Sequence, residues 1–179
     1  MRVIAVTNQK GGCGKTTICV NLAASLAEQR RGVLLVDMDP QGHCGLALSV
    51  PEERIEHSVA DALVQGGGGG APVEVDQAIW QIADGLEFLP SVRALAELEH
   101  GGPSVVEGEG CLRSVLQTLS HRYDYCIIDC PPHAGVLSGM AVGSASDVLI
   151  PVETGYFSLC GLDTHLEMVQ EHIAQLDQQ

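Results

Sequence analysis

Lysine is nearly absent from this chain: two occur among 179 residues, Lys10 and Lys15, and with seven arginines they face 23 carboxylates for a formal net charge of −14. Nonspecific DNA binding depends on Lys and Arg neutralising phosphates, so direct binding of that kind is not expected. Arg30, Arg31, Arg113 and Arg122, near predicted helix ends, are where a local patch could form. No apolar run approaches the ~20 residues needed to span a bilayer, and the N-terminus lacks the basic, apolar, small-residue order of a secretory signal. Both absences give a cytoplasmic expectation. The last predicted helix carries Glu167, Glu171 and Asp177 but no Lys or Arg, which argues against a basic amphipathic membrane anchor. Seven cysteines stand at irregular spacing with no C-x-x-C pair, as expected of reduced thiols rather than a disulfide framework. There is no internal repeat. With 45% hydrophobic and 18% charged residues, the chain can bury the core of one domain.

The two lysines share one stretch, Lys10-Gly11-Gly12-Cys13-Gly14-Lys15-Thr16-Thr17, after the strand-like run Val3-Ile4-Ala5-Val6. A loop that wraps phosphates needs glycines to turn backbone N–H groups inward, a helix N-terminus, and a compact cation. Gly11, Gly12, Gly14 and Lys15 meet that need, and the Thr16 hydroxyl is placed to coordinate magnesium. A plain glycine-rich turn before a helix would not require both lysines. The general phosphate-loop pattern wants a glycine five residues before Gly14, where this chain has Gln9, with Lys10 beside it. Further on, Gly32-Val33-Leu34-Leu35-Val36-Asp37-Met38-Asp39-Pro40-Gln41-Gly42 is an apolar strand ending in two carboxylates. Aspartates at alternate positions can face one site. Tyr125-Cys126-Ile127-Ile128-Asp129-Cys130-Pro131-Pro132 is a third apolar run ending in a carboxylate. A single aspartate of this kind is often only a turn residue. Three motifs at strand C-terminal ends, where open parallel sheets bind ligands, make a much stronger signal.

These strings resemble the ParA/MinD family of ATPases with a deviant Walker A loop, and the D-x-D-P-Q-G and D-C-P-P wording is closer to ParA. The resemblance runs from Met1 to about Gln170. It implies ATP and Mg2+ as ligands, with Lys10 through Thr17 binding nucleotide and Lys10, Lys15 and Asp39 taking part in hydrolysis. Lys10 would reach across a homodimer to the partner's nucleotide. Thr16, Asp37 and Asp129 would hold magnesium, and Asp39 would orient the attacking water. The implied function is an ATP-dependent dimerisation switch that positions a plasmid, a chromosome or a protein compartment through a cargo-linked adaptor or activating protein. The alternative is a nucleotide-binding interaction module, or a fragment, without turnover. Relatives usually continue through further strands and helices that hold the base. The expectation is therefore a single ATPase domain over residues 1–179 without those last elements.

Alternating strands and helices predict an α/β fold, a doubly wound and mainly parallel sheet with helices on both faces. Helices are expected over Thr16–Arg30, His57–Gln65, Val92–His100, Cys111–His121 and Ser158–Leu176. Strands beyond those named are expected at Gly85–Ser91 and Val148–Val152. Glycine runs at Gly66–Gly70 and within Gly101–Gly110 read as loops. Trp80 is expected to pack against the sheet. Cys126 and Cys130 flank Asp129 at a spacing that raises zinc or an iron–sulfur cluster, against the reading of small buried strand residues. The nitrogenase iron protein shares the deviant loop, but its cluster cysteine lies further on, where this chain has Val136-Leu137. Cys13 is either a spacer or, beside a lysine and a helix N-terminus, a reactive thiol. His43 and Cys44 read as surface residues, and His133 as a turn residue close enough to the phosphate site to be weighed in catalysis. Tyr156 and Phe157 are either an interface anchor or buried at a helix start.

Overall fold

The computed structural model describes residues 1–63, 74–99 and 110–155, with 166, 167, 169 and 170 beyond them. The loop expected at Gly66–Gly70, residues 101–109 of the second glycine-bearing loop, the pair Tyr156 and Phe157, and most of the last predicted helix lie outside the described residues; Leu166, Glu167, Val169 and Gln170 are helical.

Six strands form one sheet: β1 (Arg2–Val6), β2 (Val33–Asp37), β3 (Trp80–Ala83), β4 (Leu86–Leu89), β5 (Tyr125–Asp129) and β6 (Asp147–Leu149). Their spatial order is β3-β4-β2-β5-β1-β6, and all neighbours are parallel except β3 with β4. The helices are α1 (Lys15–Glu28), α2 (His43–Ala47), α3 (Val59–Leu63), α4 (Val75–Ala78), α5 (Ala96–Glu99), α6 (Gly110–Leu119) and α7 (Val136–Ser144).

Central strands buried on both faces read as continuous apolar runs, and every residue of β2 is buried. Its side chains alternate between two cores. Leu34 and Val36 join Val3, Ala5 and Ile128 beneath Leu112 and Leu116 of α6 and Leu137 and Met140 of α7. Val33 and Leu35 join Val6, Ile127 and Phe88 beneath Cys19 and Ala23 of α1. Helices therefore cover both faces, as the alternation of elements predicts.

The differences from expectation are local. The antiparallel strand β3 was not foreseen, because Trp80-Gln81-Ile82-Ala83 is short and half exposed in alternation. Trp80 thus belongs to the sheet, opposite Phe88, and packs half-buried on the α1-side core. β6 stops at Leu149 rather than Val152, and Pro151 has no N–H with which to extend the ladder. The helix expected over Val92–His100 divides into a 3₁₀ turn, Arg93–Leu95, followed by α5. α3 starts after Ser58, whose hydroxyl accepts from Ala60 N–H while Asp61 accepts from Ser58 N–H, a reciprocal cap. α2 and α7 were missed because both are short and interrupted by glycine. Glu99 stabilises the start of α7 by accepting from the backbone N–H groups of Val136 and Leu137, both at 3.1 Å. Gly135 leaves room for that carboxylate, since a Cβ there would collide with Glu99 Oε2.

Candidate nucleotide and metal site

β1, β2 and β5 end side by side, and their C-terminal edge carries the three predicted motifs. Val6 is in register with Asp129, and Asp129 with Asp37. The loop after β1 turns into α1 through Gly12 and Gly14, at φ +75° and +90°, conformations that favour glycine. No side chain caps α1. Its first-turn N–H groups and its dipole consequently remain available to an anion.

Lys15 opens α1 almost buried, 8% exposed, and its Nζ donates to the Lys10 carbonyl at 3.4 Å. Thr16 Oγ1 donates to Asp129 Oδ2 at 2.6 Å. Asp37 accepts at Oδ1 from Asp39 N–H (2.9 Å) and at Oδ2 from Cys44 N–H (3.1 Å). Asp39 in turn accepts from Gln41 N–H at 2.9 Å, and Gly42 N–H donates to the Asp39 carbonyl, closing the D-x-D-P-Q-G segment into a turn. Lys15, Thr16, Asp37, Asp39 and Asp129 thus meet at one sheet edge.

Lys10 does not join them. Its ammonium pairs with Glu153 of the same chain, just past β6, while its N–H donates to Asn8 Oδ1 at 2.9 Å. Asn8 Nδ2 reaches the Pro151 carbonyl at 2.7 Å. Two links therefore tie the front of the loop to residues 151–153, and no sequence signal had singled out Glu153.

Asp37 and Asp129 are both fully buried. Burial, then the neighbouring Asp129 charge, holds the Asp37 carboxyl well above the usual carboxylate range. Burial likewise raises Asp129, against the pull of hydrogen bonds from Thr16, Cys44 and Cys19. A carboxyl raised in the folded state binds protons that the unfolded chain has lost, so its contribution to stability falls as pH rises from the ordinary range through the raised one. Asp129→Asn removes that burden, and the Thr16 hydroxyl can rotate to accept from the new amide. The variant without nucleotide is expected to melt higher than native at neutral pH, by about 2 °C or more for each ~1 kcal/mol relieved. The gap should narrow as pH falls toward 4. Thermal melts across that range would decide it, and a gap that widens toward acid would refute the account.

Two further contacts on Asp129 come from thiols: Cys19 Sγ lies 3.5 Å from Oδ1 and Cys44 Sγ 3.3 Å from Oδ2. Cys19 was legible in principle, three residues after Thr16 and hence on the same helical face. Cys44 gave no such signal. The surface placement expected for His43 is observed, whereas Cys44 is wholly buried because α2 turns its second residue inward beneath the sheet edge. Cys126 and Cys130 are also fully buried, in the opposite core. Burial raises both thiols well above the ordinary range. His133 Nε2 lies 3.5 Å from Glu99 Oε1, so its ring sits beside the group that caps α7. Cys13 is half-buried in the loop.

The chain is similar to known proteins over nearly its whole length. An AAA domain family model matches residues 1–179. The chromosome partitioning protein ParA of Myxococcus xanthus is 39% identical, with 95% of this chain and 59% of that protein covered. The sporulation initiation inhibitor protein Soj of Bacillus subtilis is 39% identical over 96% of this chain and 67% of its own length. Among solved structures, cobyrinic acid a,c-diamide synthase from Mycobacterium smegmatis, with a bound ATP analogue and magnesium, superposes at a TM-score of 0.86. It is 34% identical, with 96% of this chain and 68% of that one covered. The chain spans about two thirds or less of the length of these curated relatives. On the model match and these identities, the chain belongs to the ParA-like part of the ParA/MinD family.

Proposed function

We propose that the chain is a ParA-like ATPase that dimerises on ATP, serves as a switch for positioning a cargo, and forms one ATPase domain over residues 1–179. The observation that carries the reading is the convergence of Lys15, Thr16, Asp37, Asp39 and Asp129 at the ends of β1, β2 and β5. Gly11, Gly12, Cys13 and Gly14 of the loop and Thr17 of α1 would complete the nucleotide-binding set. The oxygen donors of Thr16, Asp37 and Asp129 suit a hard cation. Thr16 would hold magnesium directly and the two aspartates through its water, and the ion would offset phosphate charge.

Lys15 and the loop N–H groups would bind the β- and γ-phosphates. Asp39, held in its turn by Gln41 and Gly42, would orient the attacking water. Lys10 would leave Glu153 and meet the partner's nucleotide, placing a positive charge where charge develops in the transition state. Hydrolysis would then reopen the dimer and release the surface that the closed state had assembled. The cargo-linked partner that stimulates turnover belongs to the same reading.

Four of the seven arginines are engaged within the chain, while Arg30, Arg31 and Arg54 are exposed, which favours a protein-mediated role over nonspecific DNA binding. Arg2 pairs with Asp147, Arg93 with Glu52, and Arg122 with Asp76 and Glu87, while Arg113 donates to the Gly143 carbonyl. Among the described residues no helix is long and apolar enough to cross a membrane.

Light scattering tests the proposal directly, with apo, ADP and non-hydrolysed ATP-analogue samples containing magnesium. A dimer is expected with the triphosphate alone. Asp39→Ala should still dimerise, now with ATP itself, while turnover falls about 10²-fold for loss of a water-orienting carboxylate. A monomer in every state would sink the switch.

A further inference from the structure

Magnesium gains nothing from sulfur, yet two buried thiols close on the carboxylate at the centre of this site. Cys19 and Cys44 are both fully buried, and their Sγ atoms approach opposite oxygens of Asp129. One ligand atom each from Asp37, Cys44 and Asp129 lies within 4.8 Å of the other two. Neither aspartate takes part in an ion pair among the described residues.

We infer that Asp37, Cys44 and Asp129, with Cys19 bracing Asp129 from α1, form a site for a thiophilic divalent cation of the Zn2+ class.

Three arguments carry this. The first is donor chemistry. Oxygen-only sets suit magnesium, whereas a thiolate combined with carboxylates selects zinc and its softer neighbours. The second is spacing. Tetrahedral zinc, with bonds of about 2.3 Å to sulfur and about 2.1 Å to oxygen, sets sulfur and oxygen about 3.6 Å apart. Cys44 Sγ and Asp129 Oδ2 stand 3.3 Å apart, close to that spacing, and the Asp37 oxygen lies within 4.8 Å of both; the ion would take the place of the thiol proton, which passes to solvent. The third is support. Asp37 is fixed by two backbone N–H groups, and Asp129 by Thr16 on one oxygen and Cys19 on the other, the outer contacts that hold metal ligands in place. The fourth coordination position is left to water or an anion.

Zn2+ held here would occupy both carboxylates that magnesium needs, which makes the site inhibitory toward the proposed switch. Only that consequence rests on the proposed function. The binding itself is tested on the full chain without nucleotide, so its failure and the failure of the switch are separate results.

Co2+ is the probe, titrated into the metal-free, reduced full chain and followed by thiolate-to-cobalt charge-transfer absorption, with Zn2+ added to displace it. A single equivalent should bind with a strong charge-transfer band that Zn2+ abolishes and excess Mg2+ does not. The band should disappear in Cys44→Ala and in Cys44→Ser, the latter keeping the side-chain shape while replacing sulfur by oxygen. Circular dichroism verifies that the variants fold. Cys19→Ala should keep the band but bind about 10–100-fold more weakly, as loss of an outer-shell contact does. Cys111→Ala should match the native chain. No band in the native chain, or an undiminished band in a folded Cys44→Ser, would overturn the assignment.

Discussion

Lys10→Ala is expected to lower ATP turnover about 10³-fold or more, the scale on which a cation supplied across an interface acts in phosphoryl transfer. Nucleotide binding by the single chain should survive, since the Lys10 ammonium is paired with Glu153 rather than with the aspartates of the site. Stability should hardly change. The Lys10–Glu153 pair is exposed, 44% and 51% by side chain, and such pairs contribute ~0–1 kcal/mol. That same weakness would let Lys10 leave for a partner at small cost, as the proposed switch requires. Turnover measured beside the melting temperature separates the two roles. Native turnover in the variant would remove Lys10 from the chemistry, and a large drop in melting temperature would make it a structural residue instead.

Lys15→Ala should act earlier, on binding itself. Lys15 is buried at the start of α1 with its Nζ at a long 3.4 Å from the Lys10 carbonyl, a weak contact for a cation removed from water. A phosphate would supply far better partners. Hydrogen bonds to charged groups contribute ~1.5–3 kcal/mol each, so losing contacts to two phosphates should weaken an ATP analogue by about 10²–10⁴-fold. Calorimetric titration of native and variant chains with the analogue and magnesium measures this. The melting temperature without nucleotide should stay close to native, because the variant gives up little within the protein. Undiminished affinity would mean that the loop binds its anion through backbone N–H groups alone.

The central sheet was legible because parallel strands buried on both faces leave unbroken apolar runs, as in Val33–Val36 and Cys126–Ile128. The phosphate loop was legible because its chemistry tolerates few residue types, and because the chain places its only lysines there. Elements held by remote contacts were not. α7 begins where Glu99, 37 residues earlier, accepts its N–H groups, and nothing local in Val136–Ser144 announces that. β3 depends on pairing with β4, since its four residues alternate too weakly to stand out. Cys44 and Glu153 were missed for the same reason. Their meaning lies in partners 85 and 143 positions away, Asp129 and Lys10.

The double tether from the loop to residues 151–153 has a thermodynamic consequence. Asn8 and Lys10 fasten the front of the phosphate loop to the strand exit at Pro151 and Glu153. If nucleotide-dependent pairing draws Lys10 away, Glu153 loses that ion pair in the same event. A molecule that binds better once the Lys10–Glu153 pair is broken must then favour the paired state by the same factor by which pairing favours its own binding. The segment after β6 is thus a place where an outside protein could read the state of the loop, and bias it, without touching the nucleotide.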